Sequence, residues 1–196
     1  MRKFLAAFTC FTTLLATPLA AQQDDPLCED LWFARNLIHD RAGYCFSSPL
    51  GQALFDNSDC TTRNATLAPA QAALVARIRQ SESQYSCNLD TNRTWLTYPD
   101  ELEPYRRMAD VPVRDFGATG CIGYRGPVLT LRNGASHAAA AIGQLRPGAS
   151  ITFAHWPLNG WSYVSIYPQG YAPDGPADWG WVAIGEGMPP CDSYAG

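Results

Sequence analysis

Lysine is all but missing from this chain: Lys3 is the only one, and every other basic residue is arginine. Arginine forks onto carboxylates and phosphates better than lysine does. The balance, though, is 14 basic against 18 acidic residues, a net charge of −4. That acidity excludes a general pull toward nucleic acid or an anionic membrane. Histidine is scarce as well: His39, His137 and His155 lie far apart, and no two have the spacing of a zinc site. The apolar opening from Phe4 to Leu15 falls short of the ~20 residues that cross a bilayer, and no later run is longer. Serine-nucleophile, phosphate-loop and dinucleotide motifs are absent. The one acidic loop, Asp56-Asn57-Ser58-Asp59, lacks the glycine and distal glutamate of a calcium-binding hand. No catalytic residues, no metal ligands and no cofactor are therefore expected.

What is present points to export. Arg2 and Lys3, an apolar stretch and a closing Ala-Thr-Pro-Leu-Ala-Ala are the three parts of a secretory leader, with cleavage expected near Ala21. Thr9 before Cys10 does not fit a lipidation site. Removing the leader takes away Arg2 and Lys3, leaving 12 basic residues and a net charge near −6. It also leaves six cysteines, Cys28, Cys45, Cys60, Cys87, Cys121 and Cys191, an even number that reads as three disulfides in an oxidising compartment. Of the 15 pairings open to six cysteines, we prefer Cys45–Cys60, Cys28–Cys87 and Cys121–Cys191, each half of the chain pairing its own. A periplasmic or secreted protein follows.

The first half reads as helices. Leu27, Leu31, Ala34 and Ile38 recur at three- and four-residue spacing, widened by Trp32 and Leu37, and Gly43 can end that helix in a left-handed turn. Ser48-Pro49 opens a short second helix ending by Asp56, and a third runs from Pro69 to about Tyr85. From Asn92 to Arg114 the chain is polar and broken by Pro99, Pro104 and Pro112, which predicts a connecting segment packed on one domain. Beyond Cys121, five short strands between glycine and proline turns are expected at 128–131, 141–145, 150–153, 161–167 and 179–184. The expected fold is α+β: a leader at 1–21, a disulfide-tied helical domain at 22–91, a connector at 92–114 and a β domain at 115–196.

Ala34-Arg35-Asn36 with Arg41 and Gly43-Tyr44-Cys45-Phe46 resembles the YARHG domain, an extracytoplasmic bacterial family of unknown activity, over about residues 28–87. His39, Asp40 and Ala42 stand where that motif has Tyr, Ala and His, so no role of the motif histidine carries over. In the second half, Leu129 to Gly134, Ile142 to Gly148, Asn159 to Val164 and Gly180-Trp181-Val182 resemble the ordered landmarks of a bacterial SH3-like domain over about 115–191. The resemblance implies a small β-barrel that binds a cell-wall peptide or an envelope protein.

Within that β half, Trp161 and Trp181 follow glycines at strand starts and are expected in the core. Trp156, Tyr167, Tyr171 and Trp179 sit at loop edges and are the candidate ligand-binding residues, rimmed by Asp174 and Asp178. Three functions compete. A non-enzymatic envelope-binding module fits best. A periplasmic inhibitor or accessory subunit of a hydrolase would use the long loop from Tyr167 to Trp179. An enzyme would need His39 as base, with partners the sequence does not name.

Overall fold

A computed structural model describes residues 25–171, 177–185 and 187–196. The leader, its cleavage near Ala21, Cys10 and Asp174 lie outside the described residues. Among the described residues, four α-helices and a 3-10 turn precede a seven-stranded sheet, so the chain is α+β.

Helix α1, Pro26–Arg41, starts where Asp25 accepts a hydrogen bond from the Leu27 N–H at 3.0 Å and Pro26 supplies the fixed first turn. It is buried on more than one side: Leu31, Ala34, Phe33 and Ile38 are enclosed, and so are Glu29, Asp30 and Asn36. Helix α2, Pro49–Leu54, is capped by the Ser48 hydroxyl, and Asn57 folds back to bond both the N–H and the carbonyl of Phe46. The 56–59 segment is thus a turn, as its sequence predicts. Helix α3, Pro69–Gln84, buries only Val75 and Ile78. Its attachment comes from the Cys28–Cys87 disulfide and from Arg35 paired with Glu82 at 3.0 Å. Cys45–Cys60 and Cys121–Cys191 are the other two bridges, so all three preferred pairings are present.

Residues 92–114 do more than connect. They form α4 (Pro99–Leu102) and a 3-10 turn (Glu103–Arg107), and they bury Leu96, Leu102, Tyr105, Met108, Val111 and Val113. The segment packs on both halves instead of one. Glu29 holds it from α1, accepting from Arg93 and from the Thr97 N–H and hydroxyl at 2.7 Å each. From the sheet side, the Trp181 indole donates to the Asp110 carbonyl at 3.1 Å.

The strands are β1 (Arg114–Tyr124), β2 (Leu129–Arg132), β3 (Ala141–Leu145), β4 (Ser150–His155), β5 (Ser162–Tyr167), β6 (Asp178–Val182) and β7 (Cys191–Ala195). They pair antiparallel in the order β3-β2-β6-β5-β4-β1-β7. The five predicted strands are β2 to β6; β1 and β7 were not expected, and Cys121–Cys191 ties them together. Side-chain alternation divides the sheet between two cores. Tyr163 and Trp181 face the helices, with Trp156 and Trp161 beside them, while their neighbours Val164 and Val182 face a second cluster. That second cluster gathers Leu131 and Leu145 from one end of the sheet with Cys121 and Tyr124 from the other. The sheet therefore curls around its own core, yet β3 and β7 remain edges and it is not closed.

Candidate functional site

The four aromatic candidates do not form one cluster. Trp156, expected at an exposed edge, is 9 % exposed because the Arg77 guanidinium of α3 lies 3.8 Å over its ring. It is a docking point between helix and sheet. Trp179 is half-buried in β6, with the exposed Asp178 before it. Tyr167 and Tyr171 do come together, edge to face with centroids 5.0 Å apart, and Tyr171 is 59 % exposed. Burial raises the Tyr167 phenol pKa, and the nearby Tyr171 and Glu101 push it the same way.

Tyr171 stands over an open groove of about 240 Å³. The groove is lined by Ser150 and Thr152 of β4, by Ala118, Thr119 and Ile122 of β1, and by Ala195 and Gly196. The register of β1 on β4 shifts between Arg114 and Thr119, so the first half of β1 leaves the ladder at the rim of this groove. No charged side chain lines it. Thr119, Ser150, Thr152 and Tyr171 bring hydroxyls to it; of these, Ser150 is 2 % exposed, and its hydroxyl has no hydrogen-bond partner among the described residues. A buried hydroxyl left without a partner costs about 1–3 kcal/mol. Apolar walls with one unsatisfied polar handle are the general make-up of a small-ligand site.

A second cluster was not legible in the sequence. Asp30 of α1, Tyr105 of the 3-10 turn, His155 of β4 and Tyr163 of β5 meet where helices and sheet join. The Tyr105 hydroxyl donates to Asp30 Oδ2 at 2.8 Å and lies 2.5 Å from His155 Nε2. Arg114 reaches within 3.9 Å of the same carboxylate and also bonds Glu101 at 3.3 Å. Burial dominates the electrostatics here. It raises Asp30 to about 7, against the opposing pull of the Tyr105 hydrogen bond and Arg114. It lowers His155 to about 3, and Arg114 pushes the same way. Both tyrosines are held neutral well above the ordinary phenol range, again chiefly by burial. These groups are 50 to 75 residues apart in sequence for the two Tyr105 contacts, so no local spacing reveals them.

The other histidines have ordinary surroundings. His39 is half-buried against Tyr44, and burial with Arg35 and Arg79 lowers its pKa. His137 packs on Trp161. Among the described residues no group of His, Cys, Asp and Glu has the arrangement to hold a metal ion. The retained motif residues near His39 have structural work. Arg41 donates to the carbonyls of Tyr105, Arg106, Met108 and Ala109, with the shortest bond 2.7 Å to Met108. Gly43 adopts φ +77°, and a Cβ there would stand 2.5 Å from the Thr61 hydroxyl.

Comparison with known families gives two matches. The YARHG domain model covers residues 9–83, which bears out that resemblance, and a model described as a domain of unknown function, DUF4453, covers residues 86–196. No curated protein and no solved structure matches the chain.

Proposed function

This chain belongs to the DUF4453 family, with a YARHG domain ahead of it, and from that premise we propose that it is an exported, non-enzymatic binding module of the cell envelope. Its ligand is a short extended segment of a cell-wall peptide or an envelope protein, seated in the Tyr171 groove. The observation that carries this reading is the unpartnered Ser150 hydroxyl in an uncharged, mostly apolar groove. A ligand that places one apolar side chain against the exposed Ile122, which stands across from Ser150 on β1, and one polar atom on Ser150 relieves the cost of that orphaned group. Export is supported by three disulfides and by the YARHG domain. No helix of the described residues is long and apolar enough to cross a membrane.

We further propose that β2 to β6 form an SH3-like unit, which β1 and β7 extend. Its support is that Leu129-Thr130-Leu131-Arg132 is β2, Ala141–Leu145 is β3 and Gly180-Trp181-Val182 closes β6, in the expected order.

The test is co-sedimentation of the oxidised mature chain with purified peptidoglycan sacculi, beside Tyr171→Ala and Ser150→Ala. Sedimentation of the native protein, reduced in both variants, supports a wall ligand in the groove. If the native protein stays in solution, the wall reading fails and a protein partner such as a hydrolase takes its place.

A further inference from the structure

A second depression lies on another part of the sheet. It measures about 250 Å³ and is bounded by β2, β3, the start of β6 and the end of the 3-10 turn. Its apolar lining includes Trp179, Met108 and Ile142, and its polar lining is Arg107, Asp178 and Asn133. Arg107 and Asp178 are both exposed, and neither side chain makes a hydrogen bond or ion pair among the described residues. Two opposite charges thus line one depression without pairing with each other.

We infer that this depression is a binding site for a single neutral sugar ring of a glycan. The argument is by elimination on charge, then by shape. Asp178 repels an anion, and Arg107 repels a cation. A neutral polyol suffers neither penalty: adjacent hydroxyls can accept from the guanidinium and donate to the carboxylate, which are the stronger, charge-assisted kind of hydrogen bond. Asn133 adds an amide beside them; its Oδ1 already accepts from the Ala140 N–H at 3.0 Å, so its NH2 is the part available. Trp179 supplies the remaining element. One face of a pyranose ring is a row of C–H groups, whose positive edge suits the negative face of an indole. The volume falls below the ~300–1,000 Å³ of pockets for drug-sized ligands, which fits one ring of a longer chain and not a whole oligosaccharide. The site shares no residue with the Tyr171 groove, so it stands or falls separately from the proposed function.

The experiment is a nitrogen-15 NMR titration of the oxidised mature chain with tri-N-acetylchitotriose, with maltotriose as a second arm, read at the indole N–H signals of the six tryptophans. The Trp179 signal is assigned by its loss in Trp179→Phe. A saturable shift of that signal is expected, with a Kd on the order of 1 mM for one ring in a shallow site. The affinity is expected to fall about tenfold in Asp178→Asn and in Arg107→Gln, the loss of one charge-assisted hydrogen bond. Tyr171→Ala is expected to bind as the native protein does. Both charge variants alter exposed side chains, and the other five indole signals report whether the fold is kept. The responding arm names the glycan class. Absence of a shift with both sugars at ten times that concentration, or a shift that both charge variants leave unchanged, overturns the inference.

Discussion

Ser150 makes the proposed groove testable at the level of one atom. Its hydroxyl is buried without a partner, so Ser150→Ala removes a cost from the folded state and is expected to stabilise the protein by about 1 kcal/mol in urea unfolding. The same change is expected to weaken ligand binding. A residue with only a structural role does not give these opposite signs. Asp30 and His155 supply a second residue-scale prediction. Unfolded, Asp30 titrates at its ordinary 3.8 and His155 at 6.5; folded, they stand near 7 and near 3. Between about pH 4 and 6.5, folding therefore moves one proton from His155 to Asp30 and leaves both groups neutral. The raised acid alone makes stability fall as pH rises, and the lowered base alone makes it fall as pH drops. Over this window the two slopes cancel. Asp30→Asn removes the first and exposes the second, so the variant is expected to lose about 1.4 kcal/mol relative to native for each pH unit below 6.5. Native and variant curves that run parallel with pH contradict the assignment.

At the scale of elements, helix α1 organises the rest, and part of that was readable in advance. Its apolar spacing, its stop at Gly43, the caps at Ser48-Pro49 and the glycine and proline turns that bracket β2 to β6 are local signals, and each maps onto an element at nearly the expected bounds. Glu29 and Asp30 were not readable, because carboxylates near a helix start are ordinarily solvated and their partners Arg93, Tyr105 and Arg114 are distant in sequence. Strands β1 and β7 were missed for a compositional reason. Gly117, Gly120 and Gly123 interrupt β1, most of its first half is exposed, and β7 shows exposure at four successive positions. Of the candidate ligand residues, Tyr171 sits at a groove, whereas Ser150 beneath it reads as an ordinary strand residue. Arg41 shows how α1 sets the connector: it gathers four carbonyls that end the 3-10 turn. Arg41→Met is expected to cost about 2–3 kcal/mol and to speed amide exchange at Met108 and Ala109, which hydrogen–deuterium exchange reads directly. Unchanged exchange there contradicts the clamp.

Across the whole molecule, the two halves share a core. Tyr163 and Trp181 of the sheet belong to the same apolar cluster as Leu31 and Phe33 of α1 and Met108 of the connector. Docking of this kind makes unfolding of the two halves cooperative, and a single urea transition by both tryptophan fluorescence and far-ultraviolet circular dichroism is the expected outcome. Cys121–Cys191 closes a loop of 70 residues and holds the edge strand that carries Ala195 to the groove. Its removal by paired Cys→Ala substitution is expected to lower stability by about 4 kcal/mol and to weaken ligand binding with it. The measurement that bears most directly on the central claim remains the sacculus co-sedimentation. The native, oxidised chain should pellet with the wall, and Tyr171→Ala and Ser150→Ala should both pellet less while remaining folded. A native protein left wholly in the supernatant, or folded variants that pellet as well as it does, contradicts a wall ligand in the Tyr171 groove.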